Sequence, residues 1–303
     1  MIGAFKAKPE DFPMPAFRSF LFAPGNHARK VEKVFDCGAD HVILDLEDAV
    51  ATAEKVATRA VIVEALKKPR RCGGYVRVNS YETEFCYGDA AAVVGPWLDG
   101  IIFPMVESAD QMRSFDWLVG NLERERGLSV GGIDIIPIIE TGKGIAAARD
   151  IAAAGTRVKR MAFGAGDYTL DMNMEWTIAE TELEPARAEM VMASRLAGIE
   201  QPLDTVWIHI KDLENLEKSA AYVKQIGFQG KMCIYPPQVD VVNGVFTPTD
   251  EEVAFAQRVV DAFEQAEKEG SSSIQMDGYF IDYPIVYKAQ RTLETLRQIK
   301  EAA

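Results

Sequence analysis

Eight short apolar runs alternate with helix-like segments along most of the chain, and this alternation constrains the fold more than any other feature. The runs fall at residues 20–23, 41–46, 75–79, 100–105, 134–140, 160–167, 206–210 and 231–235. Most are near-continuous in apolar residues, as parallel strands buried on both faces require. The spacing predicts helices at 28–38, ended by the C-cap glycine Gly38, and at 52–68, stopped by Pro69. A third, at 108–125, opens on Ser108-Ala109-Asp110-Gln111, the spacing of a capping box. Eight β/α units over this length match a TIM (β/α)8 barrel, here residues 17–245. A doubly wound sheet normally carries fewer strands. From 246 to 303 the pattern changes. Thr249, followed by Asp250, Glu251 and Glu252, reads as the N-cap of a long helix reaching about residue 269. Gly270 and three serines break it, a loop at 276–284 follows, and a final helix closes the chain. With no strand to add, this segment reads as a C-terminal helical extension acting as a lid.

Composition narrows the function. With 33 basic and 46 acidic residues the net charge is −13, which argues against nucleic acid or an anionic membrane as partner. No stretch approaches the roughly 20 apolar residues of a membrane span. The first fifteen residues carry Lys6, Lys8, Glu10 and Asp11 without an apolar block, so no secretory signal is expected. Cys37, Cys72, Cys86 and Cys233 have no metal-clip spacing and read as reduced packing residues of a cytoplasmic protein.

The chemistry is expected at the carboxyl ends of the strands, where barrel enzymes place it. Glu140 and Asp167 close the fifth and sixth runs. Two carboxylates on neighbouring strand ends suit Mg²⁺, which prefers oxygen, keeps several waters and usually takes one or two protein carboxylates. Mn²⁺ is the alternative ion. The only histidines are His27, His41 and His209, with no His-x-x-x-His, which disfavours zinc. The bland alternative for Glu140 and Asp167 is a pair of helix-capping acids. Asp45, Glu47 and Asp48 crowd the end of the second run. Adjacent strand residues point to opposite sides, so all three are not expected to serve one task. Glu47 and Asp48 are read as ordering metal-bound waters, against the simpler role of acids at a helix N-terminus. Arg77 lies inside the apolar third run, where an unpaired charge is very costly. It reads either as a structural ion pair or as a bidentate clamp on a substrate carboxylate.

Gly142-Lys143-Gly144-Ile145-Ala146-Ala147 fits the G-x-G-x-x-A dinucleotide fingerprint but follows the fifth strand instead of the first. The glycines read better as letting a helix N-terminus approach a substrate carboxylate or phosphate. No G-x-S-x-G or Walker A pattern occurs.

Taken in order, several segments resemble the citrate lyase beta-subunit family of the HpcH/HpaI aldolase superfamily. They are Arg18-Ser19-Phe20-Leu21-Phe22-Ala23-Pro24-Gly25-Asn26, Ile43-Leu44-Asp45-Leu46-Glu47-Asp48-Ala49-Val50, Val76-Arg77-Val78-Asn79, Ile138-Ile139-Glu140-Thr141, Phe163-Gly164-Ala165-Gly166-Asp167, Gly230-Lys231-Met232-Cys233-Ile234-Tyr235-Pro236-Pro237-Gln238 and Phe280-Ile281-Asp282-Tyr283-Pro284. The resemblance implies a Mg²⁺-dependent carbon–carbon lyase or condensing enzyme acting on a small hydroxyacyl-CoA thioester such as malyl-CoA or citramalyl-CoA. The products would be acetyl-CoA or a homologue and a 2-keto acid. It implies Glu140 and Asp167 as metal ligands, Arg77 on the keto-acid carboxylate, and Phe22 and Lys33 beside CoA. It also implies Asp282, on the lid and often serving a neighbouring subunit, as the catalytic group near the acyl methyl. A homo-oligomer, trimer or hexamer, is expected.

Three positions depart from the family pattern. Pro104-Met105 stands where Pro-Lys is usual, His27 where arginine is frequent, and Ile234-Tyr235-Pro236 where Ile-His-Pro is usual. They bear on CoA binding and on the acyl substrate, and leave two rival readings. One is a metal-dependent aldolase on a free 2-keto acid without CoA, needing the cation and Arg77 but not Asp282. The other is a catalytically degenerate ligand-binding paralogue, against which Glu140, Asp167, Arg77 and Asp282 all weigh.

Overall fold

The computed structural model describes residues 16–302; the stretch read for a secretory signal lies outside them. Two compact units are present, one spanning Arg18–Phe246 and one that takes in the chain from Thr247 onward.

The first unit is a closed parallel barrel of eight strands in sequence order, β1 (Ser19–Pro24), β2 (His41–Asp45), β3 (Gly73–Arg77), β4 (Gly100–Phe103), β5 (Asp134–Ile139), β6 (Ala162–Phe163), β7 (Leu203–Asp204) and β8 (Gly230–Cys233). The helices around it are α1 (Ala28–Lys33), α2 (Lys55–Leu66), α3 (Cys86–Val93), α4 (Ala109–Glu125), α5 (Gly142–Ala146), α6 (Ala148–Ala152), α7 (Ala165–Asp171), α8 (Glu184–Ala197), α9 (Leu213–Ile226) and α10 (Pro237–Phe246). The TIM barrel expected from the alternation is thus present. No described helix is long and apolar enough to cross a membrane, and all four cysteines are free.

Strand alternation divides the side chains into two layers. Leu21, Leu44, Val76, Ile101, Phe103 and Phe163 belong to one continuous apolar core with residues of the surrounding helices. Phe103 of β4 stacks on Phe115 of α4 with ring centroids 3.9 Å apart, a contact worth about 0.5–1.5 kcal/mol beyond the area it buries. Near the strand starts, Phe20 stacks on His41 at 4.5 Å and meets Tyr75 edge-on at 5.3 Å. Tyr75 donates its hydroxyl to Asp134 at 3.0 Å, and Arg160 pairs with both Asp134 and Glu200. This leaves the opposite end for chemistry.

Local structure departs from the sequence reading at several places in the barrel. The seventh strand is Leu203–Asp204, upstream of the run at 206–210. Ile208 and Ile210 are exposed, and Asp204 lies buried within the ladder. An apolar search passes over an acid, but Asp204 is satisfied by Arg187 through two bonds of 2.9 Å and by Lys231. A buried charge is tolerated when it is paired and hydrogen-bonded. Ser108 does cap α4 by accepting the Gln111 amide at 3.2 Å, but the Gln111 side chain accepts from Glu107 at 2.8 Å, so only half of the expected box forms. At residues 142–144 the Gly142 amide donates to Asp171 and that of Gly144 to the N-cap Thr141. A Cβ on Gly144 would stand 2.7 Å from the Val106 carbonyl.

The second unit contains α11 (Asp250–Lys268) and α12 (Tyr283–Ala302), packed through Val259, Phe263, Ile281 and Val286. Thr249 caps α11 in a complete capping box with Glu252. The loop expected at 276–284 is instead a hairpin, β9 (Ile274–Met276) and β10 (Tyr279–Ile281), leading straight into α12. Its two-residue turn, Asp277-Gly278, has φ of 51° and 82°. Asp-Gly is a strong signal for such a turn, because both residues must adopt positive φ.

Candidate active site

The barrel mouth is built from the ends of β2, β3, β5 and β6. Asp45 and Arg77 are cross-strand partners, the last residues of β2 and β3. Arg77 donates from Nε to Asp45 Oδ1 at 2.8 Å and from Nη2 to Asp45 Oδ2 at 2.7 Å. Its remaining Nη1 stands 3.0 Å from Glu47 and 3.4 Å from Asp48. The expectation that the three acids could not share a task is therefore corrected. Strand alternation ends at Asp45, and the following turn brings Glu47 and Asp48 back over the same guanidinium. Asp45 fixes that turn by accepting the amides of Glu47 at 2.9 Å and Ala49 at 3.1 Å. The Phe22 ring of β1 lies under the guanidinium, 5.0 Å from Arg77 Cζ, within reach of a cation–π contact.

Glu140 follows β5 directly and is buried. Its Oε1 accepts the amide of Met105 at 2.8 Å, and its carboxyl group is electrostatically coupled to that of Asp167. Met105 holds φ at 53°, a left-handed conformation unusual for a residue with a side chain. That backbone aims its N–H at Glu140. Gly164 is required on the other side, since a Cβ there would sit 2.4 Å from Glu140 Oε2. Asp167 does not close a strand as the sequence suggested. β6 ends at Phe163, and Asp167 lies in the first turn of α7. The short apolar run at 160–167 merged a two-residue strand with the start of a helix.

Acidic crowding dominates the electrostatics. Burial pushes the Glu140 carboxyl well above the usual range, and the nearby Glu47 and Asp167 push it further, against Arg77 and the Met105 amide. Burial raises Glu47 to about 8 against the relief from Arg77, with Asp48, Asp45 and Asp167 adding to the rise. Asp167 is raised by burial and by Asp48. Asp45 goes the other way: burial opposes its ionisation, but the Arg77 ion pair and the hydrogen bonds from Arg77, Glu47 and Ala49 hold it below the usual value. One guanidinium, already paired with Asp45, thus faces four further carboxylates. A hard cation would relieve that crowding and favour the ionised carboxylates. The donors are all oxygen, as Mg²⁺ prefers. Among the described residues no three acidic, imidazole or thiol groups converge as a complete ligand set, so water and substrate would fill the remaining positions, as is usual for Mg²⁺.

Of the residues singled out from sequence, Glu47, Asp48, Arg77, Glu140, Asp167 and Phe22 come together here. Lys33, at the exposed end of α1, makes no ion pair among the described residues. Asp282 belongs to the second unit, between β10 and α12. Its carbonyl accepts the amides of Ile285 and Val286, both at 3.0 Å, while its carboxylate takes no hydrogen bond among the described residues. Of the departures from the family pattern, Met105 is the strained residue holding Glu140, whereas His27 and Tyr235 are exposed. Sequence reasoning gave no role to Asp45 or Gly164; an acid at the strand position beside Arg77 was the available signal.

The chain belongs to the HpcH/HpaI aldolase/citrate lyase family, whose model matches residues 18–236. It is 37% identical over 279 residues to citrate lyase subunit beta of Leuconostoc mesenteroides subsp. cremoris, covering 91% of this chain and 92% of that protein. It is 33% identical over 311 residues to L-malyl-CoA/beta-methylmalyl-CoA lyase of Cereibacter sphaeroides, with coverage of 95% and 96%. Among solved structures, the CitE protein of Mycobacterium tuberculosis in complex with magnesium, acetoacetate and coenzyme A superposes with a TM-score of 0.76 at 27% identity, over 93% of this chain and 98% of that one. By this kinship the protein is an enzyme, a carbon–carbon lyase.

Proposed function

We propose that the protein is a Mg²⁺-dependent lyase cleaving a small hydroxyacyl-CoA thioester, such as malyl-CoA or citramalyl-CoA, to acetyl-CoA or a homologue and a 2-keto acid. The observation that carries this reading is the crowding of four carboxylates, buried Glu140, half-buried Asp167 and Glu47 and exposed Asp48, about a single guanidinium. Relatives named for malyl-CoA chemistry and a structural neighbour holding magnesium and coenzyme A support it.

Glu140 and Asp167 would hold the cation, with Glu47 and Asp48 accepting hydrogen bonds from its waters. Bound there, Mg²⁺ would polarise the carbonyl oxygen that forms on the keto-acid fragment. Arg77 offers Nη1 to the substrate carboxylate, since Asp45 holds its other edge. In cleavage the bond between the hydroxyl-bearing carbon and the thioester α-carbon breaks. Its electron pair moves onto the thioester as an enolate, and the hydroxyl proton is released. The enolate carbon then takes a proton to become the acyl methyl. Asp282 is the proposed group for that transfer, supplied by the carboxyl-terminal unit of this or a neighbouring copy. Phe22 and Lys33 are assigned to the CoA side. A homo-oligomer, trimer or hexamer, acting in the cytoplasm completes the reading.

Mass spectrometry of products from a panel of hydroxyacyl-CoA thioesters, with and without Mg²⁺, tests it. The expected result is an acyl-CoA and a 2-keto acid from at least one thioester, only when Mg²⁺ is present. Free CoA with an intact hydroxy acid would mean thioester hydrolysis instead. Cleavage confined to free keto acids would favour the aldolase alternative.

A further inference from the structure

The turn carrying Glu47 and Asp48 is held from its far side by a buried lysine that the chemistry above does not use. Lys55, the first residue of α2, is 9% exposed. Buried lysines are normally paired with an acid, yet Lys55 forms no ion pair among the described residues. Its ammonium has three N–H donors, and three acceptors meet them: the Leu46 carbonyl at 3.0 Å, the Glu47 carbonyl at 2.6 Å and Asn79 Oδ1 at 2.7 Å.

Asn79 is itself oriented by a chain of contacts. Its Nδ2 donates to the Leu46 carbonyl at 3.0 Å and to Asp89 Oδ2 at 2.6 Å, and its backbone amide donates to the same Asp89 oxygen at 2.9 Å. Only the amide oxygen is left to face Lys55. Asp89 is fully buried and takes Arg59 Nε on its other oxygen at 2.7 Å. A continuous line therefore runs from Arg59 through Asp89, Asn79 and Lys55 to the peptide carbonyl of Glu47. The inner side of the same turn is held by Asp45 and by the Leu46 amide, which donates to the Arg77 carbonyl at 2.9 Å.

We propose that Lys55 is a positioning residue: it fixes the Glu47 peptide, and so sets where the Glu47 and Asp48 carboxylates stand against Arg77 and the Glu140–Asp167 pair. In its consequence for cation binding, this rests on the reading of that pair as a Mg²⁺ site. Removing a residue that orients a site through its neighbours typically weakens metal binding or activity about 10–100-fold.

The test uses the full chain and two substitutions, Lys55→Met and Asp89→Asn, the second acting on the line without touching the turn. Hydrogen exchange of the metal-free protein reads the turn directly, and titration with Mn²⁺ followed by paramagnetic resonance reads the site. The expected result is faster exchange of amides at 45–50 while those of α11 stay unchanged, with Mn²⁺ Kd raised about tenfold or more. If Lys55→Met does not fold, Asp89→Asn carries both readouts. Wild-type exchange at 45–50 in a folded variant overturns the proposal. So does a loosened turn with unchanged Mn²⁺ affinity, because Lys55 would then serve the fold alone. A wild-type protein that binds no Mn²⁺, with the turn still loosened in the variants, leaves the tether standing and removes the cation reading instead.

Discussion

Asp45 and Arg77 sit opposite each other at the ends of neighbouring strands and are joined by two hydrogen bonds, at 2.8 and 2.7 Å. The pairing resolves how an arginine survives in an apolar strand, and it limits what that arginine can do. The forked edge that sequence reasoning reserved for substrate is occupied by Asp45, leaving Nη1 to face the mouth. The ion-pair and functional readings of Arg77 are thus compatible: one edge holds the strands together and the other serves the site.

Arg77→Lys tests the point. A lysine keeps the charge but cannot bond both Asp45 oxygens and also reach the mouth. The expected outcome is a loss of about 1–3 kcal/mol in stability, the usual effect of a broken buried bond. A large fall in kcat/KM should accompany it. Wild-type kcat/KM on every thioester cleaved by the parent would make Arg77 structural only.

Met105 offers a second test. Its N–H, not its side chain, reaches Glu140, and the backbone there is left-handed. Met105→Gly should match or exceed the wild type in stability, because relief of strain offsets the added chain entropy. Met105→Val should lose about 1–3 kcal/mol, since a branched side chain is strained at positive φ. Thermal melts of the two variants decide it; the reverse order would show that the methionine side chain, not the backbone, matters.

The acid limb of stability is expected to involve Asp204. Burial opposes its ionisation, but Arg187 and Lys231 outweigh it and hold the carboxyl below the usual range. A depressed folded-state value means that the stabilisation is complete above the unfolded value of about 3.9 and is lost as pH falls through the folded value. Asp204→Asn should therefore be less stable by about 3–5 kcal/mol near neutrality. The gap between variant and wild type should narrow as pH drops below about 4. Parallel curves of Tm against pH would contradict the assignment.

Asp282→Asn separates a catalytic acid from a helix cap. A side-chain cap contributes about 1 kcal/mol, but the Asp282 carboxylate accepts no bond from α12. The variant should melt as the wild type does and lose deuterium exchange at the acetyl-CoA methyl. Exchange at the wild-type rate would remove Asp282 from the chemistry.

Much of this was legible in the sequence because the barrel imposes one repeated pattern. Seven of the eight strands overlap apolar runs, and Glu140 and Asp167 were readable as a pair from their positions closing successive runs. The failures share a cause: hydrophobicity does not report pairing. Asp204 hid β7 because its charge is satisfied by residues distant in sequence. The convergence of Asp45, Glu47 and Asp48 was missed because alternation was extended past the strand end. The C-terminal hairpin was missed because the Asp277-Gly278 turn signal was not weighed against short, half-exposed strands. Lys55 carried no signal, since its acceptors are mainly backbone carbonyls.

The central claim is that Glu140 and Asp167 are a cation site, and a crystal structure determined at saturating Mg²⁺ tests it most directly. Glu140 and Asp167 stand close enough that each raises or responds to the other's ionisation. The predicted result is one ion about 2.0–2.1 Å from an oxygen of each residue, with waters completing an octahedron. Glu140 and Asp167 with no ion bound to either at saturating Mg²⁺ would contradict it.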